Sequence, residues 1–593
     1  MKQLTVLFTL FFSLNIFAQS PRLARKYYQS GQYEKAVELY KSLHKKHAYR
    51  SDYFKFLIGS YQQLEKYIEA QKIILEQLQK FPNQLQFNIE LGYNYTLQNQ
   101  NDKAKIYYDI ALKAVDINPN LGYNTGKTFQ DNNLLDYALK AYKSAMKSNP
   151  KLNFNLQVSL IYGEQGAINK MFDSFLNMVN KDPSYTMSIL RYVGNFITED
   201  TQNANNILLK NLLIQRVQNN PNSSWNILLS WLFMQEKKYN KAFIQEKAIY
   251  RRNPTNLNRL VDLGKITFNA KDYTTSQHTF EYILKNAPQI NLKIYTQLYL
   301  LKIKIALGSS ETALLSIQSG FKNLLTEFGF KLATLGVQKE YALFLTYKLN
   351  QPQEAINLLK KSLGLNLNIN QRGILRLQLA DVYVFSNQLN KALISYSQVK
   401  TSNKNSVLAQ KATFKIAQTS YFKGDFKWAQ TQLKVLKSET SQLIANDALK
   451  LSLLISNNDK EGKPEALKLL AKAELLTIQN KDLEALDSLQ VISTKFNKYT
   501  VAFYALFKQA EIYEKQKSFD KAEQDYLKIL ALDKNNILAD DACFKLAKLY
   551  QNKLNDTNKA AAYYEKIIFD YPASIYLVEA RKIYRTLKPD LIN

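Results

Sequence analysis

Gly31–Leu43 reads GQYEKAVELYKSL. Its apolar residues recur at helical spacing, and a small Ala36 stands where a larger side chain would bury more surface. Nearly the same phrase returns at 99–112 (NQNDKAKIYYDIAL), 237–249 (KKYNKAFIQEKAI), 387–399 (NQLNKALISYSQV) and 517–530 (KSFDKAEQDYLKIL). Aligned on the small residue, Ala36, Ala70, Ala104 and Ala138 are each 34 residues apart, and so are Ala242 and Ser276. Ala355, Ala392, Ala429 and Ala466 follow at intervals of 37, and Ala522 and Ala560 close the series. A fixed period in this range marks a repeat architecture.

Each small residue has companions. Four positions on comes a large side chain: Tyr40, Ile74, Tyr108, Tyr142, Phe280, Leu359, Tyr396, Leu433, Leu470, Tyr526 or Tyr564. Twelve positions back stands a second small residue in many copies: Ala24, Gly92, Gly126, Gly264, Ala380, Ala417 and Ala510. Twelve positions on, several copies have proline: Pro82, Pro150, Pro254, Pro288 and Pro572. Two small residues let antiparallel helices approach closely, and the large one fills the next gap on the same face. Proline cannot continue a helix, so it stops the second helix after about three turns.

These residues resemble the tetratricopeptide repeat, a 34-residue helix–turn–helix with small crossing residues, an aromatic four later and a terminal proline. The resemblance covers nearly the whole chain after its first residues. It implies an all-α solenoid, a right-handed superhelix of stacked helix pairs. A generic α-solenoid of longer repeats is the alternative, better placed in the middle of the chain. Over about 155–225 the proline spacing survives roughly, but Met171 and Leu209 replace the small anchors, so degenerate helix pairs are expected there. The stretches 454–467 and 477–496 interrupt the register before the last two repeats. The predicted organisation is an N-terminal array at 19–290, a longer-period array at 291–495 and a C-terminal pair at 496–593.

The chain begins MKQLTVLFTLFFSLNIFAQS: one lysine, an apolar run to Phe17 and a small Ala18. This pattern predicts a secretory signal at 1–18, cleaved before Gln19, and hence export to the periplasm. The segment YPASIYLVEA (571–580) is similar to the closing repeats of periplasmic tetratricopeptide proteins of the Tol–Pal and outer-membrane assembly systems, which points to the same address. No later window is long and apolar enough for a membrane helix. Any outer-membrane association is therefore expected to be peripheral, through a partner.

The 593 residues carry a formal net charge of +29. The charge is mostly lysine and is dispersed, which argues against a nucleic-acid partner. Cys543 is the only cysteine, so burial alone must hold the fold.

The search for chemistry finds little. LGYNTGKTF (121–129) approaches a phosphate-binding loop, but only three residues separate Gly122 from Gly126 where four are needed. Gly126 is also a crossing residue. His44 and His47 share a helical face without a third ligand nearby, and read as a surface pair; His278 is expected to be partly packed. No catalytic motif appears, and no enzyme activity, cofactor or metal is expected.

In the resembled family the first helix of each repeat lines a concave groove. The positions one and four beyond the crossing residue are then predicted to face it: Arg25, Tyr28, Gln62, Tyr93, Lys127, Gln130, Trp231, Lys265 and Phe268. The expected function is a non-enzymatic scaffold that binds envelope proteins or peptides through this face, in outer-membrane biogenesis or secretion. The alternative is a module for an anionic envelope polymer, lipopolysaccharide or peptidoglycan, drawn by the positive charge.

Overall fold

Five residues before most of the repeat anchors, Met171 included, the chain turns through the left-handed region. Gly31, Glu65, Asn99, Asn133, Gly166, Lys237 and Lys271 all have φ between 56° and 73°, and the same place is taken later by Asn350, Asn387, Gly424, Asn480, Lys517 and Asn555. One such residue reverses the chain between two helices at least cost when it is Gly or Asn. In the first copy the turn joins Ser20–Gln29 to Tyr33–Lys46.

The computed structural model describes residues 20–47, 50–308, 310–436, 442–460 and 464–588. The predicted export signal lies outside them. Among the described residues the chain is all α: helices follow one another as antiparallel pairs, with no strand. Their contacts divide the chain into two compact units, Met1–Leu260 and Val261–Asn593.

The recurring residues occupy the places that helix packing needs. Ala36, Ala70, Ala104, Ala138, Ala242 and Ser276 are buried at the crossings. The small residue twelve back lies under the large residue four on. A Cβ added at Gly92 would stand 2.5 Å from the Tyr108 ring, one at Gly126 2.5 Å from Tyr142, and one at Gly264 2.8 Å from Phe280. The missing side chain is the space that the ring fills, and full burial of such a ring stabilises by roughly 1.5–3 kcal/mol. Helices end at Lys80, Ser148, Arg252, Asn286 and Asp570, two residues before the five prolines in each case.

In the first unit the expected degenerate stretch holds Asn155–Glu164 with Ile168–Lys181, then a short Thr186–Val193 before Ala204–Asn219. The Asn206 side chain spans the intervening loop by donating to the Thr198 carbonyl (2.8 Å) and accepting from the Thr198 amide (3.1 Å).

The second unit departs from the sequence reading at Ala466. That residue is buried, but it sits on Pro464–Ile478, the first helix of a pair. The anchor of this pair is Ala485, with its left-handed turn at Asn480, its small partner Ala473 and its large residue Leu489, all buried except the turn. The segment 477–496 is thus a turn and second helix, not an interruption. The 37-residue step to Ala466 coincided with an extra helix, Gln442–Lys460, which stands outside the pairing. The first helices on either side of it, Val407–Phe422 and Pro464–Ile478, pack directly on each other. In the last copy Ala547 lies thirteen residues before Ala560, and a π-helical turn, Tyr550–Leu554, lies between them. A π turn takes up one additional residue without ending the helix.

Tyr571 and Tyr576 of the closing phrase tie it to the preceding repeat. The Tyr571 hydroxyl donates to the Lys534 carbonyl (2.8 Å), and the Tyr576 hydroxyl to Asp541 (2.7 Å) while its ring stacks on Phe544.

Candidate partner-binding face

Side-chain bonds between first helices show which residues share one face. In the first unit, Lys55 on Ser51–Gln63 donates to Asp131 at the end of Gly122–Asp131, at 2.7 Å, across the intervening helix Leu85–Leu97. Asp131 also holds Lys127 at 2.8 Å. Desolvation works against the charge on Asp131, but the hydrogen bonds from Lys127 and Lys55 outweigh it and hold its carboxyl below the usual range. Glu90, on the helix between, is 7% exposed and accepts from Asn132 at 3.2 Å. Burial pushes its carboxyl up to about 7, against the pull of Asn132 and Lys55. Tyr28 and Tyr93 lie in the same electrostatic neighbourhood, and both phenols are raised, chiefly by burial.

The second unit carries a ladder. Lys415 pairs with Asp381 at 3.4 Å, Lys508 with Glu474 at 4.0 Å, and Lys545 with Glu511 at 3.6 Å. Each lysine stands two residues before its crossing alanine, and each acid stands one after the crossing alanine of the preceding first helix. The two partners are 34 residues apart every time. Such part-exposed pairs contribute about 0–1 kcal/mol each, so they shape the face more than they stabilise it. The rungs occupy two rows, at −2 and +1 from the crossing residue, and Asp131 of the first unit stands at +5; these positions form one stripe along a helix. The ladder's face is not open throughout. The Asn480 side chain donates to the Tyr347 carbonyl (3.4 Å) and Gln479 to that of Val384 (3.5 Å), so this turn closes on helices Leu335–Tyr347 and Ile369–Phe385.

The predicted residues divide by row. At +1, Arg25 and Lys127 are exposed, and Tyr93, Trp231 and Lys265 are half-buried; Lys265 pairs with Asp262 at 3.4 Å. At +4 the side chain turns towards the neighbouring pair. Gln62 is only 8% exposed, with its amide 3.4 Å from Asn94, a correction to its predicted place in the groove. Tyr28 packs edge-on against Phe56, Gln130 donates to Glu164 at 2.7 Å, and Phe268 lies between Tyr273 and Tyr299 with the Lys302 ammonium 5.5 Å above its ring. The sequence reading missed Lys55, Glu90 and Asp131. Glu90 stands at −2, Asp131 at +5 and Lys55 at −3 from the crossing position, and only a cross-repeat contact distinguishes such charges from solvated ones.

Two histidine expectations also change. His44 is half-buried, its ring 5.9 Å from Phe54 and its Nε2 3.2 Å from the Gln77 amide, and His278 is exposed. Among the described residues no cluster of three or more His, Cys, Asp or Glu could hold a metal, and no helix is long and apolar enough to cross a membrane.

Fold and face together define an α-solenoid of helix pairs in which, within each unit, neighbouring first helices share polar contacts. Residues 503–536 and 541–574 match family models described as tetratricopeptide repeat, so the chain carries that repeat in these two segments. No curated protein matches the sequence. Among solved structures, a tetratricopeptide repeat protein from Parabacteroides merdae is similar at 13% identity, covering 50% of this chain and 99% of its own, with a TM-score of 0.25. Yeast Tom70 is similar at 15% identity over 80% of this chain and 97% of its own, with a TM-score of 0.27. A structure of Naa15/Naa10 bound to HypK is similar at 13% identity over 97% of both chains, with a TM-score of 0.29. These scores are too low for the likenesses to bear on function.

Proposed function

We propose that this protein is an exported, non-enzymatic scaffold of the bacterial cell envelope that binds partner proteins through the faces of its first helices, in outer-membrane biogenesis or secretion. The observation that carries the binding role is the recurrence of lysines at −2 and acids at +1 in the second unit, where charged side chains of successive first helices meet, with Lys55 and Asp131 meeting likewise in the first. An enzyme site would gather its chemistry at one place, whereas a partner segment is met by residues spread along an array. Support for the address is the leader pattern at 1–18 and the closing phrase at 571–580. The polymer alternative rests on the net charge of +29. Lys127, Lys415, Lys508 and Lys545 on the faces are each paired with a carboxylate, which favours a polypeptide over a polyanion.

The test is in-cell crosslinking of the tagged protein, with envelope fractionation and mass spectrometry of what is recovered. A defined set of outer-membrane or secretion proteins, and a mature chain starting at Gln19, is the expected result. Recovery in the cytoplasm with the leader uncleaved overturns the address. Recovery with glycan and no protein, in a complex that salt dissolves steeply, overturns the protein-partner reading.

A further inference from the structure

In the second unit a cavity of about 290 Å³ opens where three first helices meet: Val407–Phe422, Pro464–Ile478 and Thr500–Lys515. Phe422, Ile478 and Ile512 form its apolar wall, and Glu474, Lys508 and Lys515 its polar side. The two cations are already satisfied. Lys508 lies 2.9 Å from Glu511, and Lys515 lies 2.7 Å from Asp482. The carboxylate is met only in part. Among the described residues the ion-pair partner of Glu474 is Lys508 at 4.0 Å, beyond hydrogen-bond range, and the Glu474 side chain remains 23% exposed. Behind it the Tyr421 hydroxyl, on a fully buried side chain, faces Glu474 as its one hydroxyl donor among the described residues, in a contact looser than a hydrogen bond of normal geometry. With one loose donor behind it and a long ion pair beside it, the Glu474 carboxylate keeps open acceptor sites towards the cavity, which a further donor can fill.

We propose that this pocket binds the guanidinium of an arginine side chain from a partner protein, with the charge on Glu474 and the planar group against the Phe422 ring. Charge complementarity selects a cation, because the group with open acceptor sites is a carboxylate and both lysines are held by closer acids. The ring selects arginine over lysine, since a guanidinium stacks on an aromatic face while donating in its own plane. The inference rests on the protein-partner reading of the face and names its chemistry at one point.

The experiment is calorimetric titration of the full-length protein at low salt with three probes: Nα-acetyl-arginine amide, the lysine analogue, and the citrulline analogue, which keeps the shape and loses the charge. Arginine is expected to bind about tenfold more tightly than citrulline, with lysine between them. Glu474→Gln should weaken arginine binding by about the same factor, and Glu281→Gln, an exposed carboxylate on a second helix, should not. A readout that needs no variant is pH: binding should fade as the solution is acidified and Glu474 takes up its proton. Equal affinity for arginine and citrulline, or arginine binding unchanged by acid or by a folded Glu474→Gln protein, overturns the proposal. If these probes fail while crosslinking still recovers envelope proteins, only the pocket assignment falls.

Discussion

Glu90→Gln should make this protein more stable at alkaline pH and leave it unchanged in acid. The carboxylate is 7% exposed on helix Leu85–Leu97, with Asn132 as its hydrogen-bond donor. The charged groups that act on it are Lys55, from the preceding first helix, and Asp131, from the following one; the Tyr28 and Tyr93 phenols stay neutral at ordinary pH. Lys55 is already engaged by Asp131 at 2.7 Å and compensates Glu90 only in part. The folded protein therefore holds the Glu90 proton up to about 7, against 4.5 for an ordinary glutamate. The native state binds the proton more tightly than the unfolded chain. The associated stability is fully present below pH 4.5 and is lost as the pH rises to 7. That interval corresponds to about 3 kcal/mol, and glutamine, which never ionises, escapes the loss. Urea denaturation of wild type and Glu90→Gln at pH 4.5 and pH 8 tests this, with hydrogen exchange over 85–145 as the local readout, because stability in a repeat array is largely a sum of neighbouring terms. The variant should be more stable by about 3 kcal/mol at pH 8 and nearly equal at pH 4.5. A variant that is no more stable at pH 8, or equally favoured at both, would refute the reasoning.

The other expectations concern the repeat itself. Gly126→Ala places a Cβ 2.5 Å from the Tyr142 ring and should cost about 1–3 kcal/mol, part of which Tyr142→Leu in the same chain restores; simple additivity in denaturation would mean that the two do not share that space. Asn133 has φ +57°, so Asn133→Ala should cost about 1 kcal/mol while Asn133→Gly costs nothing, and thermal melts that rank them the other way would remove the turn from the account. Cys543 is fully buried, and burial pushes its thiol up to about 12, so the native protein should not react with a disulfide reagent at pH 8 until urea is added; prompt native reaction would show that the last repeats open readily.

What the sequence determined by itself is the unit. Ala36, Tyr40 and Gly31, or Gly126, Ala138, Tyr142 and Pro150, act within one helix pair. Their roles follow from local rules: a turn that needs φ > 0, a crossing that needs a small side chain, a ring that needs the vacated space, a proline that ends a helix. Such rules repeat with the chain and so appear as spacing. The placement of Ala466 failed because spacing alone cannot distinguish a longer repeat from an extra helix, and the left-handed turn at Asn480 that marks the true pair is decided by the backbone. Only the tertiary structure brought Lys55 to Asp131 across 76 residues, turned Gln62 inward, set Glu474 and Tyr421 side by side, and closed Asn480 onto Tyr347. Those contacts depend on how far each pair is rotated against the next, a small angle fixed by many packing contacts at each junction, and its accumulation over several repeats decides which first helices come within reach of one another.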